Sequence, residues 1–325
     1  MTAVPTAMVH DLLPLLRQFC RGEYGIALGG AHAKGMADPE SDLDLYVFAR
    51  EALPGEARRQ LARQFDQAIE SVVSWGEADP FVQGGTDFTY QGHRVECWLR
   101  HIDYVAAIIA ECQAGVVRRE FVTWTVMGFY NHCALSDLHR MIPVEEPTGV
   151  LARWKAEVRH YPPRLRETII AAHLKAARFW PENFHYQSAV RRGNILYPTG
   201  IVGQVVHHLI QVVFALNRVY FPGDKKLGAA LDQLAVKPAE FSARISYLVM
   251  PGAEGERVSL DRQRQDLGAL VREVESLVGQ ARDEEKKPVD SSRSPSRQAK
   301  TSSTASAKPG STSPPVSASP SASTP

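Results

Sequence analysis

Four cysteines in 325 residues, none of them in a Cys-x-x-Cys pair, give no basis for a disulfide framework or a cysteine-built zinc site. Charge of one sign is also missing. Lys and Arg number 37 against 36 Asp and Glu, so no bulk field draws the chain to nucleic acid or to a membrane surface. Met1-Thr2-Ala3-Val4-Pro5 lacks a basic region followed by an apolar run, so no signal peptide is expected, and reduced thiols suit a cytoplasmic protein. Long apolar runs are scarce: Ile201–Leu216 is interrupted by Gln204, His207, His208 and Gln211 and reads as too short and too polar to span a bilayer. No aromatic residue follows Tyr247. From residue 283 the chain is mostly Ser, Pro, Thr, Ala and Lys, a composition that cannot bury enough apolar surface to offset its ordering entropy. A disordered tail over 283–325 is the expectation. No internal repeat is visible.

The 44% of hydrophobic residues is ample for a core, and the length allows two domains. Residues 9–21 read as a helix with Asp11 as N-cap and Pro14 in its first turn. Tyr24–Leu28 and Leu43–Phe48 read as short strands, and Thr86–Tyr90 with Arg94–Leu99 as a hairpin turning at Gln91-Gly92. Leu61, Phe65, Ile69 and Val72 recur at helical spacing and predict one helix over 56–73. Beyond residue 102 the pattern is helical, over 102–136, 150–180, 201–219, 225–235, 238–249 and 259–281, with a stop near Gly279. Pro162-Pro163, Trp180-Pro181, Tyr197-Pro198-Thr199-Gly200 and Phe221-Pro222-Gly223 punctuate it. The expectation is an α+β protein: a small mixed sheet with helices over 1–105, a helical bundle over 106–282, and the tail.

One stretch carries chemistry. The glycine pair of Leu28-Gly29-Gly30-Ala31 closes an apolar segment, eleven residues separate Gly30 from Asp42, and Asp42-Leu43-Asp44 opens the next segment after Ser41. Aspartate is depleted in strands, so two of them alternating at the head of one call for a reason. Alternation places both carboxylates on one face, roughly 6.6 Å apart along the strand. Like charges that close repel, and a divalent cation is the usual remedy. On the hairpin, Glu96 lies opposite in phase to Val95 and Cys97, an acid aimed at the same face, with Asp87 and Asp103 as weaker alternatives. The glycine pair lets a phosphate approach backbone N–H groups at the start of a following helix.

This spacing resembles the signature of the DNA polymerase beta-type nucleotidyltransferase superfamily, and most closely its bacterial aminoglycoside and lincosamide branch. The likeness covers residues 20–105 well and the helical remainder loosely. It implies Mg2+ held by Asp42, Asp44 and Glu96, with Glu96 as metal ligand, as general base for an attacking hydroxyl, or as both. It further implies a nucleoside triphosphate seated on Gly29, Gly30, Ala31 and Ser41. In the family a serine usually follows the glycines; Ala31 stands there and removes one hydroxyl donor. Asn217-Arg218-Val219-Tyr220-Phe221-Pro222 before Asp224-Lys225 is similar to a stretch of related enzymes. By that likeness Lys225 meets the triphosphate and Arg218 pairs with an acid or a phosphate. Asn194 replaces an acid that relatives carry after Gly193. Trp75, Phe88 and Trp98 are either stacking platforms or core. His207 and His208, adjacent on one helix, read as one core and one surface residue rather than a metal pair.

The implied activity is transfer of a nucleoside monophosphate to a hydroxyl of a small molecule, with NTP and acceptor as partners and neither membrane nor nucleic acid. A protein or RNA acceptor, and a non-catalytic nucleotide-binding regulator, are the rivals.

Overall fold

The computed structural model describes residues 6–76, 83–122, 125–225, 227–250 and 259–286. In chain order the elements are α1 (Thr6–Gln18), β1 (Cys20–Leu28), α2 (Gly30–Ala33), β2 (Leu43–Ala52), α3 (Gly55–Phe65), β3 (Ile69–Trp75), β4 (Gly85–Tyr90), β5 (His93–His101) and α4 (Ile102–Gln113). There follow β6 (Arg119–Glu120), β7 (Phe129–Tyr130), α5 (Cys133–Arg140), β8 (Ile142–Glu145), α6 (Val150–Glu157), α7 (Pro163–Phe179) and α8 (Phe184–Arg191). The last are α9 (Leu196–Leu216), α10 (Leu227–Asp232), α11 (Phe241–Val249) and α12 (Leu260–Lys286). The fold is α+β.

Six strands form one mixed sheet in the order β3-β4-β5-β2-β1-β8. The central pair, β2 and β5, is parallel, and the other neighbours run antiparallel. Period-2 alternation sorts the side chains of each strand between the two faces. Leu43, Leu45, Val47 and Ala49 with Val95, Cys97 and Leu99 point to a core shared with α1 and α3. Tyr46 and Phe48 point the other way, into the larger core built from α4 to α12. The β8 edge strand comes from beyond residue 105, so the helical half contributes to the sheet as well as covering it.

Several elements differ from the sequence reading. The apolar spacing over 56–73 belongs to two elements: α3 ends at Phe65, and Asp66 then closes a tight turn. Its Oδ1 accepts from Ala68 N at 2.9 Å and its carbonyl from Ile69 N at 3.1 Å. Ile69, Val72 and Val73 lie beyond that turn in β3, where β-branched residues are favoured. Helix α1 begins at Thr6, so Asp11 is no cap and Pro14 is interior; the carbonyl left without its donor is that of exposed His10. The span 102–136 is broken after α4 by Gly115 (φ +83°) and holds the β6–β7 ribbon. Pro162-Pro163 splits 150–180, Pro163 taking the first position of α7, where its missing N–H costs nothing. α12 continues past Gly279 to Lys286. α9 reaches back to Leu196, which makes it long and apolar enough to cross a membrane, but most of it is buried among the other helices. The tail from 287 onward lies outside the described residues.

Candidate functional site

The acids sit where the strand registers put them. Asp44 pairs with Glu96 across the parallel β2–β5 ladder, and Glu96 pairs with Asp87 across β4–β5. Paired residues point to the same face and neighbouring strands are about 4.8 Å apart. Three carboxylates therefore stand in a row on the face toward the helical half, with Asp42 one pleat further along β2. Asp87, a weaker alternative by sequence, lies in the middle of β4.

Their surroundings differ. Asp42 is the most exposed, with Arg94 Nε 3.8 Å away. Glu96 accepts from Arg94 Nη2 at 3.0 Å and from Trp98 Nε1 at 3.4 Å. Asp87 accepts from Trp75 Nε1 at 2.7 Å, while its other oxygen, Oδ1, is buried without a hydrogen-bond partner. Trp75 and Trp98 meet edge to face with centroids 5.2 Å apart, so both act as walls and donors of the acid row. Phe88 is core. Asp103, the other alternative, pairs with Arg50 away from the row.

Burial and like charge act together on these groups. Desolvation, then Glu96, Asp137 and Asp42, raise the Asp44 carboxyl to about 7, against a smaller opposing pull from Lys34. Burial, opposed by the Trp75 hydrogen bond and reinforced by Glu96, raises Asp87 to about 6.

Asp137 is a residue that sequence reasoning missed. It lies on α5 with its oxygens toward Arg100 Nη2 at 2.7 Å and Lys34 Nζ at 3.9 Å. Asp137 follows buried Cys133 by four on α5, a spacing that puts it on the packed side of the helix but does not tie it to the acid row.

The glycine turn works differently from expectation. Gly29 N–H donates to the Asp44 carbonyl at 2.8 Å and Gly30 N–H to the Tyr46 hydroxyl at 3.2 Å. Neither amide is presented to a ligand. What the glycines provide is proximity. A Cβ at Gly29 would stand 2.2 Å from Tyr46 Cζ, and one at Gly30, where φ is +54°, would stand 1.6 Å from Asp44 Oδ2. α2 spans only four residues, so it brings little macrodipole. Ala31 is half-buried on that turn. The Ser41 hydroxyl is engaged with Asp38, accepting from its N–H at 2.9 Å and donating to its Oδ1 at 2.8 Å, so it shapes the loop leading to Asp42.

The helical-half candidates stand apart. Lys225 is exposed in the loop before α10. Arg218 pairs with an acid, Glu285, at 2.6 Å. Asn194 Oδ1 accepts from Tyr197 N at 3.4 Å. His207 is core as expected of one of the pair, while His208 is half-buried rather than on the surface, and both have side-chain partners. His207 Nε2 lies 3.1 Å from Tyr130 Oη, and His208 Nδ1 lies 2.9 Å from His173 Nδ1. His132, bonded to Gln211 at 3.1 Å, joins the same buried group. Burial holds His132 and His208 down at about 4, His207 at about 3 and His173 at about 2, so all four are neutral at pH 7.

The acid row fits a hard divalent cation. It offers only oxygen donors, one of them orphaned, and carries more negative charge than its neighbours balance. Among the described residues no three His, Cys, Asp or Glu side chains enclose a metal ion by themselves.

A family model described as "Domain of unknown function (DUF4037)" matches residues 137–227, well under half of the chain. Among solved structures, the chain is similar to a nucleotidyltransferase-like protein from Exiguobacterium sibiricum 255-15, at 14% identity and a TM-score of 0.38. That match covers 85% of this chain and 76% of the other. No curated protein matches the sequence.

Proposed function

We propose that the acid face binds a nucleoside triphosphate with Mg2+ and transfers its nucleoside monophosphate to a hydroxyl of a small molecule, releasing pyrophosphate. The observation that carries this reading is the in-register row Asp44–Glu96–Asp87 beneath the Gly29-Gly30 turn, with Asp44 and Asp87 both held above the usual carboxylate range. Asp42, Asp44 and Glu96 are the carboxylates that would hold Mg2+ together with the triphosphate, and the ion would neutralise the phosphates and the charge developing on the leaving pyrophosphate.

The protein's own part is positioning and proton transfer. The acceptor oxygen attacks the α-phosphorus, the bond from that phosphorus to the bridging oxygen breaks, and pyrophosphate departs with the electron pair. The hydroxyl proton passes to a carboxylate on the same face. Glu96 is placed for this, with Arg94 and Trp98 fixing its orientation. Trp75 and Trp98, edge to face beside the row, each donate to one of its acids, Trp75 to Asp87 and Trp98 to Glu96. With its hydroxyl donor missing, Ala31 leaves phosphate grip to Mg2+ and to the remaining amides of the turn.

A pyrophosphate-release screen with Mg2+, each of the four NTPs and a panel of aminoglycosides, lincosamides and other polyols tests the reading. Release that depends on one NTP and one acceptor class supports it. Tight NTP binding without release under every acceptor would instead establish a nucleotide-binding regulator.

A further inference from the structure

Beneath the glycine turn runs a chain of contacts that the acid row does not use. Asp137 on α5 accepts from Arg100 Nη2 at 2.7 Å, and Arg100 is buried, with its Nε left without an acceptor. Asp137 is thus the carboxylate anchor of that guanidinium. The guanidinium lies over the Tyr46 ring, 4.8 Å from its centroid. The Tyr46 hydroxyl in turn accepts the Gly30 N–H at 3.2 Å, and the ring lies so close beneath Gly29 that no Cβ fits between them. Each link is at least partly buried, and the series ends on the backbone that overhangs Asp44.

We infer that Tyr46, braced by Arg100 and Asp137, is the positioning residue that sets the height of the Gly29-Gly30 turn over the acid row for a nucleotide's phosphates. The inference rests on the proposed nucleotide reading and adds to it the residues that hold the phosphate-side loop in place. The helical half reaches the site through this chain, because Asp137 belongs to α5 while Arg100 and Tyr46 belong to the sheet. A carboxylate is needed at 137 because a buried guanidinium without a counter-charge is costly. A planar cation is needed at 100 because an ammonium does not stack flat on a ring.

The test uses the full chain and four variants: Tyr46→Phe, Arg100→Lys, Arg100→Met and Asp137→Asn. Two quantities are measured in each: the Gly30 amide signal and its hydrogen exchange by NMR, and the Kd for Mg2+ with ATP, CTP, GTP and UTP by calorimetry. Tyr46→Phe keeps the ring and removes one acceptor. It is expected to shift the Gly30 amide, speed its exchange, and weaken the bound NTP by about 3- to 10-fold. Arg100→Lys should retain part of the effect that Arg100→Met loses. Asp137→Asn should weaken binding in the wild-type background and much less when combined with Tyr46→Phe, since it acts through the hydroxyl that this variant lacks. If wild type binds an NTP and the variants bind it equally well with an unmoved Gly30 amide, the positioning role is overturned while the nucleotide reading stands. If wild type binds none of the four, the nucleotide reading itself fails and takes the inference with it.

Discussion

At Gly30, φ of +54° and the 1.6 Å approach of a notional Cβ to Asp44 Oδ2 leave no room for any side chain. Gly30→Ala should cost about 1–3 kcal/mol through backbone strain alone, and more because Asp44 must move. A thermal melt and an NTP titration of the same sample check both effects. A variant with unchanged Tm would mean that the turn does not rest on Asp44. The Asp44 carboxyl itself gives a signed pH prediction. Its native value of about 7 exceeds the ordinary 3.8, so between those values the native state holds a proton that the unfolded chain has released. Stability therefore falls as pH rises through that window. Asp44→Asn removes the cost, so in metal-free buffer the variant should melt above wild type at pH 8, with the gap narrowing as pH falls below 7 and closing only below the ordinary value of 3.8. A gap independent of pH would show that Asp44 carries no such burden.

Among the elements, α7 and α9 hold an acid-sensitive joint. His173 on α7 and His207 and His208 on α9, together with His132 beside α5, are buried and neutral in the native state, with Arg119 nearby as a further deterrent to protonation. Unfolding restores their ordinary value of 6.5, so the unfolded chain takes up protons that the native state refuses. Stability is lost as pH falls from about 6.5 toward about 4, by up to about 1.4 kcal/mol per pH unit for each such proton. Urea unfolding at pH 7, 6 and 5 should show a steep fall in midpoint, and His173→Asn with His208→Asn should flatten it. An equally steep fall in the double variant would assign acid sensitivity elsewhere. α12 offers a second element-level test. Glu285 joins Arg166 at 2.8 Å and Arg218 at 2.6 Å, and Arg166 is buried. Ending the chain at residue 283 should therefore cost roughly 1–2 kcal/mol relative to ending it at 286. Equal melting of the two truncations would show the pair to be idle.

For the molecule as a whole, what could be read in the sequence was local. Asp42 and Asp44 at the head of β2 and Glu96 out of phase with Val95 and Cys97 are period-2 patterns, and the glycine pair is a contiguous turn signal. Strand alternation is a local property, and the sheet carries those residues to one face. Asp87, Asp137, Arg100 and Tyr46 belong to the same site through strand order and through α5 docking on the sheet. No spacing along the chain encodes those relations. Helix extents failed for a related reason. Leu61, Phe65, Ile69 and Val72 keep helical spacing across the Asp66 turn because α3 and β3 bury their apolar residues in the same core. Proline gave usable boundaries at 162–163 because its missing N–H is a local fact. The four histidines were the hardest to foresee, since their contacts bridge residues 130, 132, 173, 207 and 208.

The central claim is that the in-register acids bind a metal–nucleotide complex. The most direct measurement is a calorimetric titration of each NTP with Mg2+, and again with EDTA, into wild type and into Asp44→Asn at pH 8. The account predicts micromolar binding of at least one NTP to wild type, lost on chelation and lost in a folded Asp44→Asn. Binding that is indifferent to both Mg2+ and Asp44, or no binding below millimolar concentration, would contradict it.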